Sequence, residues 1–374
     1  MTQVMEREPQ VAQRVDFGVL RDTARTIARL ARQRADETQA NRRVAPDIIA
    51  ACWENGLLAM VKPARWGGHD CSFAQFAEIV FEIGKGDAST AWSFSVLAGH
   101  AANIALYPEQ AQHDVWGENP HALVASAFAP TGKAVPVEGG YTLSGRFPFA
   151  SGSDHADWYI VGAMALGADG HPFPHTFLVP RDAVAIIDDW RTMGLCGTGS
   201  KTLEIAETFV PAHRVMLIPP LLGGVAPLGL QAALIGSAWG ALDYFVAEMR
   251  AKPAKWNALA PAQSEHVQVA VGESWADIHT AWSMLAGTIA QCDDHTGMNT
   301  PTYSDEQRRR NRAANSVISR LTNSAVERVM ALAGGNGIYD TPLSRAVRDV
   351  RAGSQHMATN TNVAAMEIGK ALLN

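Results

Sequence analysis

Between His121 and Pro211 the sequence is a succession of short apolar or alternating runs with no helical period among them. ALVASAFAP (122–130), the run 139–149, WYIVGAMAL (158–166), HTFLVP (175–180), AVAIID (183–188) and SKTLEIAETFVP (200–211) are separated by Gly, Pro and Asp turns. Such runs read as consecutive strands. Strands that follow one another without helical crossovers predict an antiparallel β domain of about 100 residues and exclude a doubly wound dinucleotide fold. No G-x-G-x-x-G follows a strand, and the glycine-rich GLCGTGS (194–200) leads into a strand instead of a helix.

Both flanks carry the helical period. On the N-terminal side, helices are predicted over 16 to about 36, 46–55, 73–83 and 89–106, with Gly56 at a C-cap position and Asp87 or Ser89 as an N-cap. LLAMVKPARWGGHD (57–70) reads as a loop, with Trp66-Gly67 in an ordinary turn. On the C-terminal side, four long stretches, 231–252, 262–293, 305–333 and 342–373, predict an up-down bundle. The expected fold is therefore α+β, with an N-terminal helical domain (1–118), a central antiparallel β domain (119–219) and a C-terminal four-helix bundle (220–374).

Composition narrows the function. A net charge of −6 argues against a nucleic-acid partner, because phosphate binding needs a basic face. The run Arg308-Arg309-Arg310-Asn311-Arg312 is expected to be a solvated or inter-subunit helix face. The four cysteines, Cys52, Cys71, Cys196 and Cys292, form no C-x-x-C pair, which predicts no metal site and a reducing compartment. No apolar run approaches the roughly 20 residues of a membrane span, and MTQVMEREPQ (1–10) lacks a signal peptide's apolar core. A cytoplasmic protein is expected.

Two stretches carry candidate chemistry. In YTLSGRFPFASGSDHADW (141–158) a strand bearing rings runs into a small polar turn. An apolar wall with a hydroxyl at its edge suits a planar heterocycle such as a flavin, and also describes an ordinary hairpin with an aromatic core. The helix after Asp87 is small and apolar apart from His100, which must find a partner or face a cavity.

The order of domains, with three local patterns, resembles the acyl-CoA dehydrogenase superfamily over essentially the whole chain. LSGRFPFASG (143–152) is similar to its flavin segment. GLCGTGSKTLEIAETFVPAHR (194–214) is similar to its glycine- and serine-rich strand entry ending in V-P-x-x-R. GGNGIYDTPLSRAVRDVR (334–351) is similar to the G-G-x-G and R-x-x-R-D-x-R of its last helical hairpin. In a dehydrogenase of this superfamily a carboxylate removes the α-proton of a thioester, in many members from an E-G-T stretch just after that motif. Here the matching stretch, SQHMATN (354–360), has no acid, and Met357 beside His356 stands where the Glu would be. Glu248 or Glu273, on earlier helices of the bundle, would be the alternative bases.

A histidine in that place resembles the superfamily's oxygenase branch, the two-component flavin-dependent monooxygenases that hydroxylate aromatic or indolic small molecules. The resemblance implies reduced flavin (FADH2 or FMNH2) from a separate NAD(P)H:flavin reductase, reaction with O2 through a C4a-hydroperoxyflavin, and a homotetramer. Carried over by position, His100 matches the branch's first active-site histidine, assigned to orienting or deprotonating substrate. His356 matches the second, assigned to oxygen activation. Ser126 matches a serine near the ring and substrate, and Ser151 the hydroxyl beside flavin N5. Trp92, Phe147 and Phe149 are candidate walls for the ring, and Gly152, Gly197 and Gly199 candidate backbone donors. Lys252, Lys255, Arg345 and Arg348 are candidate cations for the flavin phosphate. Alternatives left open are an acyl-CoA dehydrogenase-type enzyme acting on a CoA thioester, an N- or S-oxygenating member of the same branch, and an inactive scaffold.

Overall fold

A computed structural model of the chain describes residues 15–166, 171–217, 226–254, 259–293 and 303–373. Helix α1 (Phe17–Gln33) starts at Asp16, whose carboxylate accepts the N–H of Gly18 at 2.7 Å, and buries Leu20, Ala24, Ile27, Ala28 and Ala31. The expected single helix to 36 breaks at Arg34, and α2 (Ala35–Asn41) continues from there to Arg42, which is left-handed at φ 52°. Helices α3 (Pro46–Glu54), α4 (Phe73–Gly84), α5 (Ala88–Ile104) and α6 (Glu109–Trp116) complete the N-terminal layer. Helix α5 is buried almost all round, and Asp87 caps it by accepting the Thr90 N–H and hydroxyl, both at 2.7 Å.

The strands are β1 (Val124–Val137), β2 (Gly140–Ala150), β3 (Trp158–Leu166), β4 (Pro172–Pro180), β5 (Ala185–Ile187), β6 (Lys201–Pro211) and β7 (Val215–Leu217), in one sheet of order β5-β6-β2-β1-β3-β4-β7. All neighbours are antiparallel except β1 and β3, so the sheet is mixed and not the purely antiparallel one expected. The hairpin explains this. Strand β2 returns the chain to the end where β1 began, and β3, placed on the other edge of β1, can then only run parallel to it. A register shift in β1 after Ala127 bulges the strand over Gly162, where a Cβ would lie 2.2 Å from the Phe128 carbonyl oxygen.

In the C-terminal layer α7 (Ala226–Ala251), α8 (Glu265–Asp293) and α9 (Asp305–Ala331) are the long helices. The expected fourth helix is two pieces, α10 (Pro342–Gly353) and α11 (Thr361–Leu373), because the chain unwinds between them through a series of turns. Helix α7 packs against α8, α9 and α10, and also against α4 and α5, so the two helical layers share a core. The α4–α7 crossing is a glycine contact: a Cβ on Gly236 would lie 2.3 Å from the Phe81 carbonyl oxygen, and one on Gly84 2.7 Å from that of Ala233.

Candidate active site

Helix α5 enters the site twice. His100 is buried, and its Nδ1 lies 2.9 Å from the Val124 carbonyl oxygen and its Nε2 3.0 Å from Ser126 Oγ. A carbonyl only accepts, so Nδ1 carries the proton, Nε2 is the lone pair, and the Ser126 hydroxyl donates to it. Burial pushes the imidazolium down to about 4, with the Val124 carbonyl pulling weakly the other way. The dyad is therefore neutral at physiological pH. Ser126, at the start of β1, is half-buried and keeps its oxygen lone pairs for a ligand. Phe128, in the bulge of β1, packs edge-on against the His100 ring at 5.6 Å.

Two turns back along α5, about 12 Å of helix rise, buried Trp92 donates its Nε1–H to Ser151 Oγ at 3.1 Å. The same indole meets the ring of His356 edge-on at 5.7 Å. His356 lies in the break between α10 and α11, where the Ala358 N–H donates to its Nδ1 at 3.2 Å. The neutral ring thus carries its proton on Nε2, as a donor. Crowding by protein, and then the charge of Arg312, push its imidazolium down to about 4. One side of His356 is nonetheless open to solvent, where water screens its charge. Arg312 is held by Glu367 at 2.8 Å and donates to the Met357 carbonyl at 3.0 Å.

Ser151 follows Phe149, whose backbone is left-handed at φ 68° and whose ring is 66% exposed, edge-on to Trp190 at 6.1 Å. A bulky residue rarely adopts that conformation, and here the ring stands exposed against Trp190. Phe147, the other candidate wall, is fully buried under Gly132 and belongs to the core.

The three site glycines are closely packed within the chain. The Gly152 N–H donates to the Thr198 carbonyl at 2.8 Å. A Cβ on Gly197 would lie 2.2 Å from Thr38, and one on Gly199 3.0 Å from the Arg42 carbonyl oxygen. Sequence reasoning passed over Thr198 and Ser200, which stand behind Ser151, and Asp349, which holds their loop by accepting the Leu195 N–H at 2.6 Å. Only the G-T-G-S spacing hinted at the first two. Burial and then the neighbouring Asp87 push the Asp349 carboxyl up to about 7.

The structure brings His100 to Ser126, and Trp92 to both Ser151 and His356. It does not gather the candidate cations. Arg345 pairs with Asp36, Arg348 pairs with Asp340 at 2.7 Å, and Lys252 lines a separate cavity of about 290 Å3 with Glu248, while Lys255 lies outside the described residues. Glu273 is on the surface between α8 and α9, paired with Arg328 at 3.0 Å. Glu248 and Glu273 each line a cavity that includes neither His100 nor His356. Among the described residues no cluster of His, Cys, Asp or Glu could hold a metal ion, and no helix is long and apolar enough to cross a membrane.

Family models for the N-terminal and C-terminal domains of acyl-CoA dehydrogenase match residues 18–119 and 228–361. The oxygenase subunit of a flavin-dependent monooxygenase from Rhodococcus jostii is 33% identical, covering 88% of this chain and 91% of its own. The chain belongs to the acyl-CoA dehydrogenase superfamily, in its flavin-dependent monooxygenase branch. An FADH2-dependent resorcinol hydroxylase oxygenase component from a Rhizobium species is 32% identical over 99% of this chain and 97% of its own. The crystal structure of 3-HSA hydroxylase from Rhodococcus sp. RHA1 superposes with a TM-score of 0.87 at 29% identity, over 96% of this chain and 98% of that one.

The residues present fit the flavin of this branch. Ser151 offers a buried hydroxyl with an unused lone pair, two residues from the exposed ring of Phe149.

Proposed function

We propose that the chain is the oxygenase component of a two-component monooxygenase that hydroxylates a small aromatic or indolic molecule, with reduced flavin from a separate reductase and O2 as oxidant. The observation that carries this reading is the buried, neutral His100–Ser126 dyad, together with the absence of an acid in 354–360, where the resemblance would put a dehydrogenase's carboxylate. When bound, reduced flavin supplies the electrons that activate O2; one oxygen atom enters the ring and the other leaves as water. Ser126 accepts the hydrogen bond of a substrate hydroxyl or ring N–H and passes its own proton toward His100 Nε2. Because burial disfavours the imidazolium, His100 polarises the substrate without keeping its proton for long. His356 offers Nε2–H from the opposite side as a donor to charge developing on oxygen. Ser151 and Phe149 hold the edge and face of the ring, and Trp92 ties Ser151 to His356.

Exposed Val269 and Trp275 on α8 and Met366, Leu372 and Leu373 on α11 support the homotetramer that the resemblance implies. A cytoplasmic setting follows from the need for a reductase and its nicotinamide donor. The test is a single-turnover reaction: anaerobic protein with FADH2 or FMNH2, mixed with O2 and a panel of phenols and indoles. Hydroxylated product at a large fraction of the flavin oxidised supports the reading. Peroxide alone with every substrate, together with bleaching of bound oxidised FAD by an acyl-CoA, would make the chain a dehydrogenase.

A further inference from the structure

Behind Ser151 lies a chain of buried hydroxyls. Ser151 Oγ is 2.7 Å from Ser200 Oγ, Ser200 Oγ is 2.7 Å from Thr198 Oγ1, and Thr198 Oγ1 is 2.8 Å from the Leu195 carbonyl oxygen. Three oxygen–oxygen contacts this short each need one proton between them. Three hydroxyl protons are available and the carbonyl has none, so the assignment is unique. Thr198 donates to Leu195, Ser200 to Thr198, and Ser151 to Ser200. The terminal carbonyl also receives Trp190 Nε1–H at 3.0 Å and the Thr198 N–H at 3.2 Å, which fixes it as a sink for donors. At the other end Trp92 Nε1–H occupies one lone pair of Ser151. Ser151, Ser200, Thr198 and Trp92 are all buried, so water does not scramble the order.

What remains to Ser151 is a single lone pair. We infer that this one-way chain makes Ser151 an acceptor only, and that Ser200 and Thr198 thereby act as positioning residues that favour reduced over oxidised flavin. This rests on the flavin reading above. Reduced flavin carries a hydrogen on N5, which an acceptor holds. Oxidised flavin presents a lone pair there, and two acceptors face to face leave both unsatisfied. Of these hydroxyls the family resemblance covers only Ser151; the polarity of its proton comes from the Leu195 carbonyl, three links away along the chain of hydroxyls.

The experiment measures dissociation constants of the full-length protein for oxidised and dithionite-reduced FAD and FMN, by anaerobic titration. Its readout is the ratio of the oxidised to the reduced constant. Thr198→Val removes the terminal donor, and Ser200→Ala removes Ser151's acceptor; each frees the Ser151 proton to turn toward N5. In both variants the ratio falls about tenfold, the scale of one net hydrogen bond, which lowers the bound flavin's midpoint potential by about 30 mV for a two-electron couple. Thr198→Ser keeps the hydroxyl and the wild-type ratio. Should Thr198→Val fail to fold, Ser200→Ala carries the test by itself. Ratios within twofold of wild type in the folded variants overturn the inference, as does a Thr198→Ser ratio as low as that of Thr198→Val. A wild-type protein that binds neither flavin form overturns the flavin reading and this inference with it.

Discussion

The burial of His100 predicts a specific acid sensitivity. Its imidazolium pKa in the folded protein is about 4, against an ordinary 6.5 that the unfolded chain recovers. Between these values the unfolded chain binds the extra proton, so the stability associated with neutral His100 is complete above pH 6.5 and is lost as pH falls toward 4. Integrating over the two titrations, stability drops by about 2 kcal/mol between pH 7 and pH 5 from this group, roughly a 20- to 30-fold change in the unfolding equilibrium. His100→Gln keeps a neutral polar side chain and removes the titration. Asp349, whose raised pKa works in the opposite sense by favouring the folded state at lower pH, is present in both proteins and cancels in the comparison. Urea unfolding followed by tryptophan fluorescence, at both pH values and one ionic strength, reads the difference. Wild type should lose about 2 kcal/mol more than His100→Gln between pH 7 and 5. Equal losses in the two proteins, within about 0.5 kcal/mol, would mean that water reaches His100 and that the dry, neutral dyad is wrong.

Other perturbations have separate readouts. His356→Ala should leave thermal stability nearly unchanged, since the ring is partly open, while hydroxylated product per reduced flavin falls at least about tenfold and peroxide rises. Phe147→Ala removes a fully buried ring from beneath the sheet and should destabilise by about 3–5 kcal/mol in chemical unfolding, far more than a change at exposed Phe149. Gly236→Ala forces a methyl against the Phe81 carbonyl at the α4–α7 crossing and should cost about 1–3 kcal/mol, visible as a lower melting temperature.

Much of the fold was legible because its signals are local. Alternation fixed β2 and β6 to within a residue or two, and capping residues such as Asp87 marked helix starts. The parallel β1–β3 pair was hidden because alternation says which face a side chain takes and nothing about which edge its strand joins. The division of the last helix was hidden because residues 354–360 contain neither Gly nor Pro, and the turns there are held by tertiary bonds such as Thr359 Oγ1 to the Gly353 carbonyl at 2.7 Å. For the site, His100 was conspicuous as a polar residue in an apolar helix, while Ser126 stood out only through the resemblance and its contact with His100 is seen only in the structure. Ser200 and Thr198 carried no such contrast in a loop of small polar residues. Arg345 and Arg348 looked like available cations because their partners, Asp36 and Asp340, are set by helix packing and not by spacing along the chain.

The unwound segment between α10 and α11 also bears on how such a chain can change its chemistry over time. His356 and Met357 occupy a short stretch whose ends are secured by α10 on one side and by α11 against α9 on the other. Both of these side chains are exposed, so replacing them disturbs little of the bundle's interior. A carboxylate or an imidazole can be exchanged there by point substitution while the load of folding stays with the helices. In this architecture the side chain at that tip can change while the scaffold around it is kept whole.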